Sequence, residues 1–231
     1  MRPLSPANLA RLGLALAITS AVTAHAAAPA AKSGGGGQGP AGITGLAPIA
    51  LHLGVNHIRD FSADGRAAVI VQAWRDNGNA WGHNTFMVMM VPKGDGADPA
   101  RGEWNLVATE AEKPPGVAEI VRDSPHTGED ALRSVMFAHG NINGQAQTLM
   151  LIATRTMQDS VPDPAPTTID VYQLVSNRTD AEDAVGDTAD AFHRIRSWKT
   201  RIPYCSSDAA LATELRIPRQ NGEAPDTDNG C

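Results

Sequence analysis

The sequence predicts a mainly β protein: an antiparallel β-sandwich or irregular β-barrel of about eight strands, closed by a short C-terminal helix. Three observations carry this. Short runs rich in Val, Ile, Phe, Trp and Thr recur between turn-forming clusters, and such side chains suit a pleated surface. Two of these runs, 69–74 and 86–91, flank a polar knot containing Asn77-Gly78, a pair that readily takes the positive φ of a hairpin turn. Almost no stretch keeps a helical apolar period before the C-terminal region. No internal repeat is visible, which disfavours propellers and solenoids.

The chain begins with an export pattern. Arg2 and Arg11 supply positive charge, 12–22 an apolar core, and Ala24-His25-Ala26 a small-x-small cleavage site. Residues 1–26 are therefore expected to be a cleaved signal peptide, leaving a periplasmic or secreted protein that starts at Ala27. No Cys follows the apolar core, which argues against a lipoprotein anchor. No later run approaches the roughly 18 apolar residues of a membrane span. Residues 27–45, with four consecutive glycines at 34–37, read as a flexible Ala/Gly/Pro tether. Residues 46–231 are expected to form one β-rich domain.

Within that domain, Leu51, Leu53 and Val55 alternate with His52, Gly54 and Asn56, predicting a first strand over 51–58. The runs 69–74 and 86–91 are apolar on both faces, which predicts a central hairpin covered on two sides. Further strands are expected over 103–110, 117–121, 132–139, 148–157 and 168–176, the pair 132–139 and 148–157 forming a second hairpin around 140–144. The run 191–204 is ambiguous. Phe192, Ile195 and Trp198 have helical spacing, but the length before Pro203 suits a basic edge strand, the reading adopted here. Ser206, Ser207 and Asp208 then cap a short helix over 209–216.

Charge and cysteine content narrow the function classes. The chain has 19 Lys+Arg against 25 Asp+Glu. Loss of the signal removes two Arg and no acid, leaving 17 against 25, a formal −8. An acidic surface argues against nucleic acid or an anionic membrane as partner. Cys205 and Cys231, an even pair in an exported chain, read as a disulfide. The closed loop of about 26 residues would contribute on the order of 3 kcal/mol.

Four stretches contain side chains capable of chemistry. The hairpin tip sets Trp74 and Trp81 beside Asp76, Asn79 and His83, the aromatic faces and planar polar groups that sugar rings require. The bland alternative packs both indoles across the hairpin or into the core. The segment Asp123-Ser124-Pro125-His126-Thr127-Gly128-Glu129-Asp130 holds Ser, His and acids together, and with His83 or His139 it is where a hydrolase reading starts. Catalytic groups usually converge from separate parts of a chain, and no G-x-S-x-G or HExxH is present, so a capped turn is the simpler reading. His52 and His57, five apart, would point to opposite faces of a strand, a poor metal pair.

The fourth stretch, Asp60-Phe61-Ser62-Ala63-Asp64-Gly65, resembles the DF-x-x-DG turn of integrin-type propeller repeats, and the resemblance implies calcium on Asp60, Ser62 and Asp64. It covers a single turn, and Ala67 and Ala68 stand where a further acidic ligand would be expected. An Asp-capped structural turn is the competing reading. No motif calls for a cofactor. The function favoured by the sequence is an exported, non-catalytic binding or structural module of the cell envelope. Its partner would be an envelope component or small ligand, with a glycan at the 74–84 tip the chemistry those residues suit. The alternatives are a secreted hydrolase using Asp123–Asp130 and a calcium-stabilised domain using Asp60–Asp64.

Overall fold

The computed structural model describes residues 42–79, 81–92, 103–110, 117–124, 131–176 and 188–218. The chain divides into Met1–Gly36 and Gly37–Cys231, and the first unit lies wholly outside the described residues. The expected signal peptide and the glycine run therefore fall outside the description, as does the tail after Pro218.

Two sheets form a β-sandwich with one short C-terminal helix. The larger has seven strands: β1 (Ile43–Pro48), β9 (Arg133–Ile142), β10 (Gln145–Arg155), β11 (Ala165–Ser176), β12 (Asp190–Tyr204), β6 (Ala108–Glu110) and β7 (Val117–Ala118), in that spatial order. The smaller runs β2 (Gly54–Ile58), β3 (Ala68–Arg75), β4 (His83–Met90), β5 (Asn105–Leu106), with β8 (Val121–Arg122) also pairing with β4. Pairing is antiparallel throughout except between β12 and β6. β1 begins at Ile43, inside the stretch read as tether, because Ile43 pairs with Ile142 of β9 and its buried side chain joins the apolar cluster that also holds α1 (Ser207–Leu215).

Between the sheets lies one apolar cluster, in which Phe86, Phe137 and Phe192 meet in edge-on and tilted ring contacts about Ile70, Val88, Met150 and Tyr172. The opposite face of the large sheet is covered by α1, whose Ala209, Ala210, Leu211 and Leu215 lie against Leu149, Leu151, Ile169 and Val171. β9, β10 and β11 are thus covered on both sides. The β3–β4 hairpin is central in its own sheet, but Val71, Met87 and Met89 on its outer face are only half-buried. The helix starts as its residues dictate: the Ser206 side chain accepts from the Asp208 N–H, and Arg216 ends it in the left-handed region at φ 55°.

Three local features depart from simple alternation. The strand expected over 51–58 is shorter, β2 beginning at Gly54. The buried Asn56 amide donates to the carbonyls of His52, Gly54 and Ile70 and accepts from the His52 N–H, folding residues 52–54 away from the ladder. The expected strand over 103–110 divides at the buried Val107, with β5 in the small sheet and β6 in the large one. The segment 117–122 divides likewise, crossing back from β7 to β8. In β12 the ladder shifts between Arg194 and Arg196. The extra residue, Ile195, turns Phe192 into the inter-sheet core and Trp198 toward the helix side, which is why their spacing imitates a helix.

Candidate functional site

The β3–β4 ladder ends at the pair Arg75 and His83, leaving residues 76–82 as a wide turn instead of a two-residue one. Its own polar side chains fix its course. Asp76 Oδ1 accepts from the Gly78 N–H at 2.7 Å, and Gly78 takes φ +67°. Asn79 Oδ1 accepts from the Trp81 N–H at 2.9 Å, while Asn77 Nδ2 donates to the Trp81 carbonyl at 2.6 Å. Trp81 is therefore pinned on both sides of its Cα.

Neither indole enters the core: Trp74 is 45 % exposed and Trp81 46 %. Trp74 packs against Gly82, so close that a Cβ added there would stand 2.4 Å from Trp74 Cζ2. Glycine at 82 is what allows the ring its seat. His83 is buried; its Nδ1 lies 3.3 Å from the Trp81 carbonyl, in reach to donate, and Nε2 has no hydrogen-bond partner among the described residues. Of the five residues read from sequence as a ligand surface, the two indoles and Asp76 are presented outward. Asn79 spends its amide oxygen inside the turn, and His83 is covered.

Beneath the tip runs a ladder of polar groups. Gln72 Nε2 donates to Asn84 Oδ1 at 3.2 Å, and Asn84 donates through its backbone N–H and Nδ2 to Asp123 Oδ1 and Oδ2 at 2.6 and 2.9 Å. Asp123, 3 % exposed, thereby clamps the start of β4. This is a positioning task, and it occupies both oxygens of the first acid in the Asp123–Asp130 segment. Ser124 pairs with Arg133 across an isolated bridge. His126, Glu129 and Asp130 lie outside the described residues. His139, the other histidine considered, sits on β9 with Nδ1 3.4 Å from the Thr148 hydroxyl.

The Asp60–Gly65 turn is built around Arg66. Phe61 and Ser62 donate their N–H groups to the Arg66 carbonyl, and the Ser62 hydroxyl donates to Asp64. Arg66 Nε reaches both Asp64 oxygens at 3.0 Å, so the carboxylate that a calcium ion would need already faces a guanidinium. No group of three His, Cys, Asp or Glu side chains suited to a metal ion occurs among the described residues. His57 instead packs edge-on to Trp104, with ring centroids 6.4 Å apart. Cys205 is buried, and Cys231 lies outside the described residues. No helix among the described residues is long and apolar enough to cross a membrane.

These features define a two-sheet sandwich presenting an aromatic hairpin tip. No family model matches the chain, and no curated protein does. Among solved structures, the crystal structure of CarG is similar, with a TM-score of 0.53 and 16% identity over 78% of this chain and 99% of that one. At that identity the likeness concerns the fold alone.

Proposed function

We propose that this protein is an exported, non-catalytic binding module of the cell envelope that meets its ligand at the β3–β4 tip. The observation that carries the reading is the pair of half-exposed indoles, Trp74 at the end of β3 and Trp81 on a turn whose backbone is fixed by Asp76, Asn77 and Asn79. An aromatic face immobilised in advance loses little entropy on binding, and stacking against the apolar face of a sugar ring is the contact it suits best. Exposed Arg75 and Asp76 flank the rings and supply polar partners for hydroxyls. The charged, apolar and Ala-His-Ala order of residues 1–26 supports export. A hydrolase built on Asp123 is less well supported, because that carboxylate is committed to Asn84.

The test is co-sedimentation of wild type and Trp81→Ala with purified insoluble cell wall, beside a melting curve for each. We expect the wild type in the pellet and the variant largely in the supernatant. An exposed platform should change stability by no more than about 0.5 kcal/mol when truncated. A wild type that stays in the supernatant ends the glycan reading.

A further inference from the structure

A second site lies between the sheets, where residues 48–51 pass from β1 to β2. A cavity of about 210 Å³ opens there, walled by Ile49, Leu51, Phe86, Val135 and Phe137. None of its ten lining residues is ionisable, and the lone polar side chain, Gln72, already donates its amide to Asn84. Ala50, Met136, Pro48 and Pro218 complete the lining, and the two prolines have no N–H to offer a guest. The wall at 48–51 is fixed, since the Ile49 N–H donates to the Phe137 carbonyl at 2.8 Å. The cavity is partly open to solvent, so a guest can seat an apolar part against these side chains while a polar end stays in water.

We propose that this cavity binds a single linear alkyl chain, the tail of an amphiphile whose head remains outside. A charged guest would lose its water and find no ionised partner on these walls. A chain loses only water contact and gains the side chains of both sheets. The site is independent of the tip, sharing none of the residues on which the glycan reading rests.

Titration calorimetry of the full chain with 1-butanol, 1-hexanol and 1-octanol tests it. Affinity should rise about fourfold for each added methylene. Val135→Phe, which places a ring in the void, should weaken octanol binding at least tenfold, and Met157→Ala, an exposed residue far along the chain, should not. If Val135→Phe fails to fold, Ala50→Leu obstructs the same space from the 48–51 wall and is read the same way. Vesicles of phosphatidylethanolamine and phosphatidylglycerol identify the source of the chain: sedimentation that the filling variant abolishes assigns a lipid tail, and octanol binding without sedimentation assigns a free amphiphile. No wild-type binding, affinity independent of chain length, or binding that neither filling variant weakens would overturn the proposal.

Discussion

Arg66 and Asp190, 124 residues apart, meet in a two-pronged ion pair, with Nη1–Oδ2 at 2.7 Å and Nη2–Oδ1 at 2.6 Å. Arg66 leads into β3 of the small sheet and Asp190 begins β12 of the large one, so the pair ties the two layers. Both side chains are almost fully buried. The Asp190 hydrogen bonds push the Arg66 pKa above its ordinary value against the opposing effect of burial, and the guanidinium stays charged wherever the fold persists. Arg66→Met leaves a buried carboxylate without its partner and should cost about 3–5 kcal/mol. The double variant with Asp190→Leu removes both charges and should recover most of that loss. Urea melts of the three proteins decide the matter; a double variant as unstable as the single one would mean that the arginine acts through its other contacts, to Asp64 and the 61–66 turn.

Gly82→Ala probes the seat of Trp74. The backbone at 82 is not in the left-handed region, so alanine is permitted there, but its Cβ would fall inside the indole. Since Trp74 is half-exposed, the ring can swing away at a cost on the order of 1 kcal/mol. We expect the Trp74 indole N–H cross-peak to move, cell-wall recovery to fall, and the melting temperature to change little. An unmoved cross-peak would show that the tip absorbs the methyl some other way.

How much of this was legible in sequence depends on range. The Ser206 cap, the apolar runs of β9 to β11 and the Asn143-Gly144 hairpin are local and were readable, and both residues of that turn take positive φ, at 52° and 84°. Asn77-Gly78 gave the right place and the wrong width, because Asn77 and Asn79 bond to Trp81 and hold a longer loop open. The sheet switch at Val107 and the bulge at Ile195 follow from which core each side chain fills, which no window of sequence contains. Arg66, Asp190 and the cavity were invisible for the same reason. Each is made by residues that only the topology brings together.

The two cysteines give a chemical test. Cys205 follows β12 directly, at the base of α1. With Cys231 the other cysteine of the chain, the expected bond is Cys205–Cys231. Thiol titration of the denatured, unreduced monomer should find no free thiol. The variant Cys231→Ser should lose on the order of 3 kcal/mol if loop entropy sets the contribution. Two thiols per chain would reject the bond, and one would mean an intermolecular link.

Tyr204 and Glu214 give the fold an alkaline signature. The buried Tyr204 hydroxyl donates to Glu214 Oε1 at 3.0 Å, while Trp198 Nε1 lies 3.4 Å from Oε2, so one helix carboxylate anchors the end of β12 twice. Burial first, and then the charge of Glu214, hold the phenol pKa above its ordinary value. The folded state therefore keeps its proton more tightly than the unfolded chain, whose tyrosines titrate near about 10. The associated stability is fully present below that pH and is lost as pH rises through the folded value. Tyr204→Phe should cost about 1 kcal/mol at pH 7, from the lost hydrogen bond. Its deficit relative to wild type should shrink between about pH 9 and 11, because only the wild type has that phenol to ionise on unfolding. Urea melts of both proteins across that range measure it. A deficit that stays constant would show that the Tyr204 phenol titrates alike in the folded and unfolded chains, and the buried contact with Glu214 would then carry no linkage to pH.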